Sequence, residues 1–354
     1  MATRTVLWWG RFDPGYSRNR VLRRLLAGLG WTIRDFRPLA SRLAGFEAAL
    51  RRVQASDLVW VPCFRQRDAS AAIAWARARG VPVLFDPLIS AWDKQVFERS
   101  KFAEDSAEAR ALLAWESGLF AGADMVLADT APHAAFFARR FGLPDDRLAV
   151  VGVGAEEELF QPTPPDFAHQ GPVEVLFYGS FIGLQGPEVI VEAARLYDGP
   201  PVSWHLLGKG PLLAACEAAA QGLDNVRFEP WVDYARLPAR IADADILLGV
   251  FGASEKAGRV IPNKVYQALA CGRPVVTQRS DAYPADLDRP DSGIAFVAPG
   301  DARALAKAVA EWASQRDRLP ALSANAFAAY ECHFGNAAIR GQLSAALARM
   351  GFSE

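Results

Sequence analysis

Three cations in residues 252–276 stand where an apolar strand gives way to a helix. Lys256, Arg259 and Lys264 follow the strand within a stretch rich in glycine and proline. The next helix is expected to begin near Pro262, because proline is favoured in the first turn of a helix. A diphosphate carries about two negative charges, which suit cations beside the free N–H groups of a helix N-terminus. The segment therefore predicts a diphosphate site, and a solvated basic loop is the alternative interpretation.

Two glycine-rich turns earlier in the same half share this strand, turn and helix setting. Residues 178–188 read YGSFIGLQGPE, and residues 206–211 read LLGKGP. Glycine lets a phosphate approach the backbone closely, and Pro187 and Pro211 mark where helices would begin. Neither turn matches GxGxxG, so an ordinary tight turn stays open as an interpretation of each. The candidates for ligand contact in these turns are Gly179, Ser180, Gln185, Gly186, Gly208 and Lys209.

Loops of this kind need parallel strands that end at one edge of a sheet. Short apolar runs ending in Gly, Asp or Pro alternate with helical patterns along the chain, which is typical of strands joined by crossover helices. The predicted fold class is α/β with doubly wound sheets. Strands are expected at residues 5–9, 32–36, 58–61, 82–85, 125–128 and 148–151, and again at 173–178, 202–207, 226–228, 246–250, 274–277 and 294–297.

A proline-rich break at residues 160–165 separates the two series of strands. Three prolines in four positions leave no room for a helix or an interior strand. The length of 354 residues also exceeds what one hydrophobic core usually organises. We therefore expect two Rossmann-like domains, at residues 1–162 and 163–324. Residues 325–354 are expected to form a helix that crosses back to the first domain.

Composition and charge argue against several classes of function. The net charge is −1 and there is no basic tail, so nucleic acid is not expected as a partner. Up to Glu158 the chain has 22 Lys and Arg against 19 Asp and Glu, and the remainder has 17 against 21, so the first half is mildly basic. Neither the cysteines nor the histidines show metal-ligand spacing, and no metal site is expected. These residues are Cys63, Cys216, Cys271, Cys332, His133, His169, His205 and His333.

The sequence contains no recognisable targeting or membrane-spanning segment. Its first apolar run has four residues, VLWW, and no later run approaches the about 18 residues that span a bilayer. A reduced, cytoplasmic location is expected. Residues 18–31 combine arginines with apolar side chains on a predicted helix, so peripheral contact with the inner membrane surface is one interpretation. Packing of the apolar side on the domain's own sheet is the other.

Three segments in this order, YGSFIGLQG, LLGKGP and IPNKVYQALACGRPVV, resemble the C-terminal domain of the family 4 retaining glycosyltransferases. VVGVGAEEELFQP resembles the end of that family's first domain, so the resemblance covers most of the chain. It implies the GT-B fold, in which two Rossmann-like domains face a cleft that binds a nucleotide-diphospho-sugar. It also implies that neither a cofactor nor a metal is needed, because cations and helix dipoles stabilise the departing diphosphate.

Carried onto this sequence, the resemblance assigns residues 179–186 to the donor phosphates and residues 208–211 to the nucleoside. Gln267 stands where the family usually has a glutamate that binds the ribose hydroxyls. Arg259 stands where it usually has an acidic residue that holds the sugar, and Gln185 replaces a common lysine of the phosphate loop. Arg259 and Lys264 are therefore expected to stabilise the departing β-phosphate. The remaining candidates for donor contact are Lys256, Gln267, Arg11 and Arg18.

The first half is expected to supply the acceptor side. Arg11 and Arg18 follow the first strand and are expected to meet the phosphates across the cleft, with solvated arginines as the alternative. Asp86 ends a strand and Asp93 follows it, where the family often places a polar residue that orients the acceptor. A helix cap or turn is the other interpretation of Asp86. Asp129, after the strand at 125–128, is a weaker candidate of the same kind.

The predicted function is a metal-independent, retaining glycosyltransferase. It would move a sugar from a nucleotide-diphospho-sugar to a glycan or lipid-linked acceptor, in surface polysaccharide or glycoconjugate synthesis. The departures at Arg259 and Gln267 keep an alternative open, a non-catalytic nucleotide-sugar-binding subunit of a glycan-assembly complex. A nicotinamide dehydrogenase would need GxGxxG after a strand and an acidic residue about 20 positions later, and neither half supplies that motif.

Overall fold

The computed structural model describes residues 4–99, 101–164 and 170–353. Strands and helices alternate along the chain, as the sequence predicts for an α/β protein. The strands are β1 (Thr5–Trp9), β2 (Thr32–Phe36), β3 (Leu58–Val61), β4 (Val83–Phe85), β5 (Met125–Ala128), β6 (Leu148–Val150), β7 (Val173–Ser180), β8 (Val202–Lys209), β9 (Val226–Glu229), β10 (Ile246–Leu248), β11 (Val275–Gln278) and β12 (Ile294–Val297). The α-helices are α1 (Ser17–Gly28), α2 (Ala44–Leu50), α3 (Gln66–Arg77), α4 (Ala91–Asp93), α5 (Ala107–Gly122), α6 (Ala131–Phe141), α7 (Pro187–Leu196), α8 (Leu213–Ala219), α9 (Leu237–Ala242), α10 (Asn263–Ala270), α11 (Ala302–Ser314), α12 (Leu319–Ala329) and α13 (Asn336–Arg349). Two π-helical segments, Lys94–Glu98 and Tyr330–Phe334, continue α4 and α12.

The chain divides into two compact units. Unit 1 comprises residues 1–153 and 339–354, and unit 2 comprises residues 154–338. The division falls before the proline-rich break, because the segment after Val153 is held within unit 2. There the Tyr234 hydroxyl donates to Glu156, and the Tyr330 hydroxyl donates to Glu157 over 3.1 Å. The second division falls inside α13, which continues into unit 1 at Ile339.

Unit 1 is built on a parallel sheet with strand order β2-β1-β3-β4-β5-β6 among its described residues. The side chains of β1 alternate between two hydrophobic clusters, as a strand that is buried on both faces requires. Val6 and Trp8 pack with α1 and α13, and Leu7 and Trp9 pack with the cluster that includes α3. The strand order reverses between β1 and β3, where such sheets leave a crevice.

Helix α1 places its apolar side in the core of unit 1. Val21, Leu22, Leu25 and Leu26 are all buried in the same cluster as Trp8. This is the packing on its own sheet that the sequence left as one of two interpretations, so α1 has no apolar surface to offer a membrane. No helix in the described part of the chain has the length and hydropathy needed to span a bilayer.

Unit 2 is built on a second parallel sheet, with order β12-β11-β10-β7-β8-β9 in the part that the structure describes. Helices α7 and α11 bury Ile190, Val191, Leu305 and Val309 against it. The strand order reverses between β7 and β10, which is the topological switch point of this doubly wound sheet. The loops that follow these two strands contain the first glycine turn and the cationic segment.

Candidate functional site

The loops after β7 and β10 cross each other at the switch point of unit 2. Gly186 has a φ of +67°, and a Cβ there would lie 2.7 Å from the carbonyl carbon of Phe251. A Cβ on Gly252 would lie 2.3 Å from the carbonyl oxygen of Gly183. Phe251 N–H also donates to the carbonyl of Gln185 over 3.1 Å. Glycine is required at both crossing points, because any side chain would push the two loops apart.

The second glycine turn packs against the first. A Cβ on Gly208 would lie 1.9 Å from the carbonyl oxygen of Gly179, and one on Gly210 would lie 2.5 Å from that of Phe181. Both glycines have φ near +150°, which disfavours other residues. Their immediate physical role is close loop packing. Ser180 and Lys209, which pair across the ends of β7 and β8, are both exposed, and the predicted nucleoside contact here stays a prediction.

Lys264 lies in the first turn of α10 and is only 5% exposed. Its Nζ donates to the side-chain carbonyl of Gln185 and lies 3.6 Å from the centre of the Phe177 ring. Gly179 leaves room for it, since a Cβ there would lie 3.1 Å from Nζ. Within the described residues no carboxylate forms an ion pair with Lys264, and burial lowers the pKa of its ammonium well below the usual range. An ammonium so placed lacks a countercharge that an anionic ligand can supply.

The helices that begin at this edge of unit 2 lack side-chain caps. Gly186 precedes α7 and Pro262 precedes α10, and neither provides a side chain that accepts from the first helical N–H groups. Several other helices are capped in that way, by Ser106, Thr130 and Asp301. Pro187 has no N–H, and the N–H groups of Val189 and Val265 donate to the carbonyls of Gly186 and Pro262. The N–H groups that an anion can reach are therefore those of Glu188 in α7 and of Asn263 and Lys264 in α10, where the helix dipole also favours negative charge.

Lys256 and Arg259 lie in the loop between β10 and α10, around the 3-10 turn Ala257–Arg259. Both side chains are largely buried. Arg259 forms an ion pair with Glu255 over 3.2 Å, but that carboxylate is 91% exposed, so water weakens the pair. The structure thus brings the predicted cations into the loop that leads into α10, where Lys264 follows.

Gln267 is buried and belongs to a chain of hydrogen bonds that ends at the partly buried Tyr234 and at Glu156. Its side-chain carbonyl accepts from the Tyr178 hydroxyl over 3.0 Å, and its amide donates to the Tyr234 hydroxyl over 3.0 Å. Tyr234 in turn donates to Glu156. Sequence reasoning missed Tyr178, Tyr234 and Glu156, which lie far from Gln267 in the chain. A carboxylate is thus present two hydrogen bonds away from the position where the glutamate was expected.

Arg18 and Asp86 form a fully buried ion pair in unit 1. Arg18 Nε lies 3.0 and 2.9 Å from the two Asp86 oxygens, and its Nη1 donates to the carbonyls of Val151 and Gly152 over 3.0 Å. Burial opposes ionisation of the guanidinium, but Asp86 raises its pKa overall, while burial raises the pKa of Asp86. Neither side chain reaches the surface. The expected phosphate contact of Arg18 and acceptor contact of Asp86 are therefore corrected to a pair that holds the sheet edge together.

Asp93 is also buried, in α4, beside a second carboxylate that the sequence did not single out. Glu116 of α5 accepts from the Ser90 hydroxyl over 2.7 Å and from the N–H groups of Ala91 and Trp92 over 2.6 and 2.9 Å. Burial raises the pKa of Glu116 against these hydrogen bonds, and Asp93 raises it further. Asp93 is the last residue of α4, just before the π-helical segment, and its carboxylate is not exposed to an acceptor.

Arg11 is exposed after β1. Its N–H donates to Asp68 over 3.1 Å, and its carbonyl accepts from Arg65 over 2.6 Å. The side chain lines two adjoining cavities of unit 1, of about 880 and about 830 Å3. A basic cavity at this edge was not foreseen, because its residues come from separate loops.

Asp129 pairs with His133 at the end of β5. His133 Nδ1 lies 2.6 Å from Asp129 Oδ1, and both residues are buried. The sequence analysis excluded metal-ligand spacing for His133 but did not identify this pair, although the spacing of four residues at a helix start is a signal for one. Within residues 4–99, 101–164 and 170–353 no group of three or more His, Cys, Asp or Glu residues could hold a metal ion. That no metal is needed stays a prediction.

Family models match both units. Residues 7–154 match a model described as "Glycosyl transferase 4-like domain", and residues 172–315 match "Glycosyl transferases group 1". A D-inositol 3-phosphate glycosyltransferase of Gordonia bronchialis is 27% identical over 330 residues, covering 82% of this chain and 67% of the relative. One from Thermobispora bispora is 30% identical over 224 residues, covering 58% and 51%. The chain thus spans between about half and two thirds of the length of these relatives.

Solved structures share the fold over nearly the whole chain. Anabaena Alr3699/HepE, solved in complex with UDP, has a TM-score of 0.72 at 15% identity and covers 98% of this chain and 99% of its own. Sucrose-phosphate synthase from Thermosynechococcus elongatus has a TM-score of 0.72 at 19% identity and covers 98% of each chain. The expected fold of two Rossmann-like domains is thereby confirmed.

Proposed function

We propose that this chain, a glycosyltransferase of the GT-B fold, transfers a sugar from a uridine-diphospho-sugar to a hydroxyl group of its acceptor. The glycosyltransferase models that match both units support the enzyme class. The complexes of Alr3699/HepE with UDP and with UDP-glucose support the choice of uridine. The names of the relatives do not favour a non-catalytic binding subunit.

The buried ammonium of Lys264 is the observation that carries this proposal. A cation with no carboxylate partner costs folding free energy, and a diphosphate beside it would supply the missing charge. The uncapped N-termini of α7 and α10 provide N–H groups at the same edge of unit 2. We assign the diphosphate to this edge, with Lys264 and Arg259 as the cations that stabilise it.

The transfer needs no protein nucleophile in this proposal. The bond between the anomeric carbon and the β-phosphate oxygen breaks, and its electrons stay with the departing diphosphate, which Lys264 and Arg259 stabilise. The acceptor oxygen bonds to the anomeric carbon on the face that the diphosphate leaves, so the configuration is retained. The acceptor hydroxyl proton passes to the departing phosphate oxygen. No metal or cofactor takes part.

The ribose hydroxyls are assigned to the chain of hydrogen bonds around Gln267. After its contacts with Tyr178 and Tyr234, the Gln267 amide keeps one further N–H and one acceptor site. Glu156 orients Tyr234 and supplies the negative charge that a glutamate at 267 would otherwise bring. A neutral amide at this position can therefore still hold a diol.

The acceptor is assigned as a glycan or lipid-linked molecule at the cytoplasmic face of the membrane, in surface polysaccharide or glycoconjugate synthesis. An Escherichia coli relative named "Putative colanic acid biosynthesis glycosyl transferase WcaI" is 32% identical over 102 residues, or 28% of this chain, and supports this role.

The proposal is tested by thermal unfolding with UDP, GDP, ADP, TDP and CMP, each with and without EDTA. At 100 times its Kd, UDP is expected to stabilise the wild type by about 2.7 kcal/mol and so raise its melting temperature. At the same concentration it should stabilise Lys264→Met by only about 0.4 to 1.4 kcal/mol, because the affinity is expected to fall about 10- to 100-fold. Lys307→Met, which alters an exposed lysine of α11, serves as the matched control and should respond like the wild type.

A response to a different nucleotide alone would change the assigned base and keep the diphosphate site. A response that EDTA removes would contradict metal independence. Equal stabilisation of the wild type and Lys264→Met would remove Lys264 from the site.

A further inference from the structure

Four large apolar side chains are exposed along one short segment of unit 1. They are Leu39, Leu43, Phe46 and Leu50, which are 78%, 62%, 72% and 73% exposed. Phe46 and Leu50 lie one turn apart on α2, Leu43 ends the 3-10 turn Ser41–Leu43 that precedes it, and Leu39 lies in the bend before that turn. The stripe segment is residues 39–50. These four residues are called the apolar stripe below.

The core of unit 1 does not account for the apolar stripe. Helix α2 buries only Ala44 and Ala48, which pack in the cluster that contains Ala69 and Ala72 of α3. An ordinary surface helix buries its large apolar residues and exposes its polar ones. Helix α2 instead buries two alanines and exposes Phe46 and Leu50. Exposed apolar side chains in a contiguous set indicate a surface that meets an apolar partner.

The charges around the apolar stripe are positive. Arg37, Arg42 and Arg52 are exposed within or beside it. The one carboxylate of the segment, Glu47, accepts from the Leu39 N–H over 2.8 Å and pairs with Arg51 over 2.7 Å, so its charge is compensated. Unit 1 as a whole carries 24 Lys and Arg against 17 Asp and Glu, whereas unit 2 carries 15 against 23. A positive unit with an exposed apolar stripe is complementary to an anionic, apolar surface.

A basic cavity adjoins the apolar stripe. The cavity of about 880 Å3 is lined by Ala40, Ser41 and Arg42, from within the stripe segment, and by Arg11 and Arg67. The neighbouring cavity of about 830 Å3 adds Arg65, Arg99 and Lys101, and one carboxylate, Asp68, which accepts from the Arg11 N–H. Guanidinium groups suit phosphate oxygens, because their planar array of donors can engage two oxygens at once. The cavities can therefore hold phosphate groups while the stripe lies in an apolar layer.

We infer that unit 1 docks on an anionic lipid bilayer through the apolar stripe, with lipid phosphate groups held in the adjoining basic cavity. The arrangement matches an interfacial helix, which inserts its apolar face below the headgroups and keeps cations at their level. It assigns the membrane contact to α2, in place of the buried face of α1. The inference rests on the surface of unit 1 alone and does not require the donor site in unit 2, although it would bring the enzyme to a lipid-linked acceptor.

Vesicle flotation tests the docking with the full chain. Vesicles of phosphatidylcholine mixed with phosphatidylglycerol are expected to recover the protein at low salt, and vesicles of phosphatidylcholine alone should recover much less. High salt should weaken recovery, because screening reduces the attraction between the arginines and the headgroups.

Two kinds of variant separate the apolar from the electrostatic contribution. Phe46→Ser with Leu50→Ser should lower the partition coefficient at least about tenfold. Arg42→Gln and Arg67→Gln should each lower it about fivefold on the anionic vesicles and leave binding to neutral vesicles unchanged. Trp231→Ser, which removes an exposed large apolar side chain from the acidic unit 2, is the matched control and should bind like the wild type.

Thermal stabilisation by UDP should be the same in the stripe variants as in the wild type, which shows that they fold and separates this test from that of the donor site. Failure of anionic vesicles to recover the wild type at low salt would overturn the inference. So would a dimer in solution that the stripe variants convert to a monomer without any lipid binding, because the stripe would then be an interface between copies of the chain.

Discussion

Replacement of Lys264 by methionine is expected to stabilise the ligand-free protein while weakening its affinity for UDP about 10- to 100-fold. The ammonium is buried beside the Phe177 ring, and no carboxylate of residues 4–99, 101–164 and 170–353 forms an ion pair with it, so the folded state bears a desolvation cost. Methionine keeps an unbranched apolar chain against that ring and removes the charge. The gain should be about 1 to 4 kcal/mol, the range found when buried ions are replaced by apolar side chains.

The stabilisation should depend on pH in one direction. Burial lowers the pKa of Lys264 in the folded protein, while the unfolded chain keeps a value of about 10.4. Below the folded pKa the lysine is charged in both states, and the wild type bears the whole cost. Between the two pKa values only the unfolded chain binds the proton, so the stability of the wild type rises with pH. The difference in the free energy of unfolding between Lys264→Met and the wild type should therefore shrink as the pH approaches the pKa of the unfolded lysine.

UDP binding should be accompanied by proton uptake, for the same reason that the stability depends on pH. A diphosphate beside the ammonium raises its pKa again, so binding takes up a proton in the pH range between the free and bound values. Calorimetry in buffers of different ionisation enthalpy measures this uptake, which Lys264→Met should lack and Lys307→Met should keep. If the wild type binds UDP without proton uptake at every pH up to the pKa of a free lysine, UDP does not bind beside a buried Lys264 whose pKa is lowered. A loss of stability in ligand-free Lys264→Met would contradict the desolvation cost.

The sequence predicted the sheets well because each strand is a local signal. All twelve strands fall within a few residues of their expected positions, since runs such as Leu58–Val61 are apolar throughout and end at turn residues. The position of Lys264 at the start of a helix could be predicted for the same reason, whereas its contact with a diphosphate stays a prediction. The pattern is a buried strand, then a proline at a helix start, then a cation. The proline and the cation lie close together in sequence, so the pattern can be recognised locally.

Contacts between distant segments could not be predicted in this way. Arg18 was predicted to meet the donor phosphates, with a solvated arginine as the alternative. Nothing near it in sequence shows that Asp86, 68 residues later, meets it in the core. The chain from Gln267 through Tyr234 to Glu156 likewise joins three segments. The apolar stripe was missed for a different reason. Its spacing is that of any amphipathic helix, and only the packing of Ala44 and Ala48 shows which face points inward.

Asp86→Asn is expected to destabilise unit 1 by about 3 kcal/mol or more, because it leaves the Arg18 guanidinium charged in a site with no access to water. The asparagine carbonyl can still accept one hydrogen bond, so the loss is mainly that of the countercharge. Asp35→Asn is the matched control, since Asp35 pairs with Arg23 at the surface and its loss should cost no more than about 1 kcal/mol.

Hydrogen exchange resolves this effect by unit. Amides of β1, β3 and β4 should exchange faster in Asp86→Asn, while those of β7 and β8, and stabilisation by UDP, should stay as in the wild type. The double variant Arg18→Met with Asp86→Asn should lose less than the sum of the two single variants, because no unpaired charge remains buried. It should not recover fully, since Arg18 also donates to the carbonyls of Val151 and Gly152 that follow β6. If Asp86→Asn leaves exchange in β1 and β4 unchanged but abolishes sugar transfer, Asp86 acts on the acceptor as the sequence suggested, and the ion pair is not what holds this edge of the sheet.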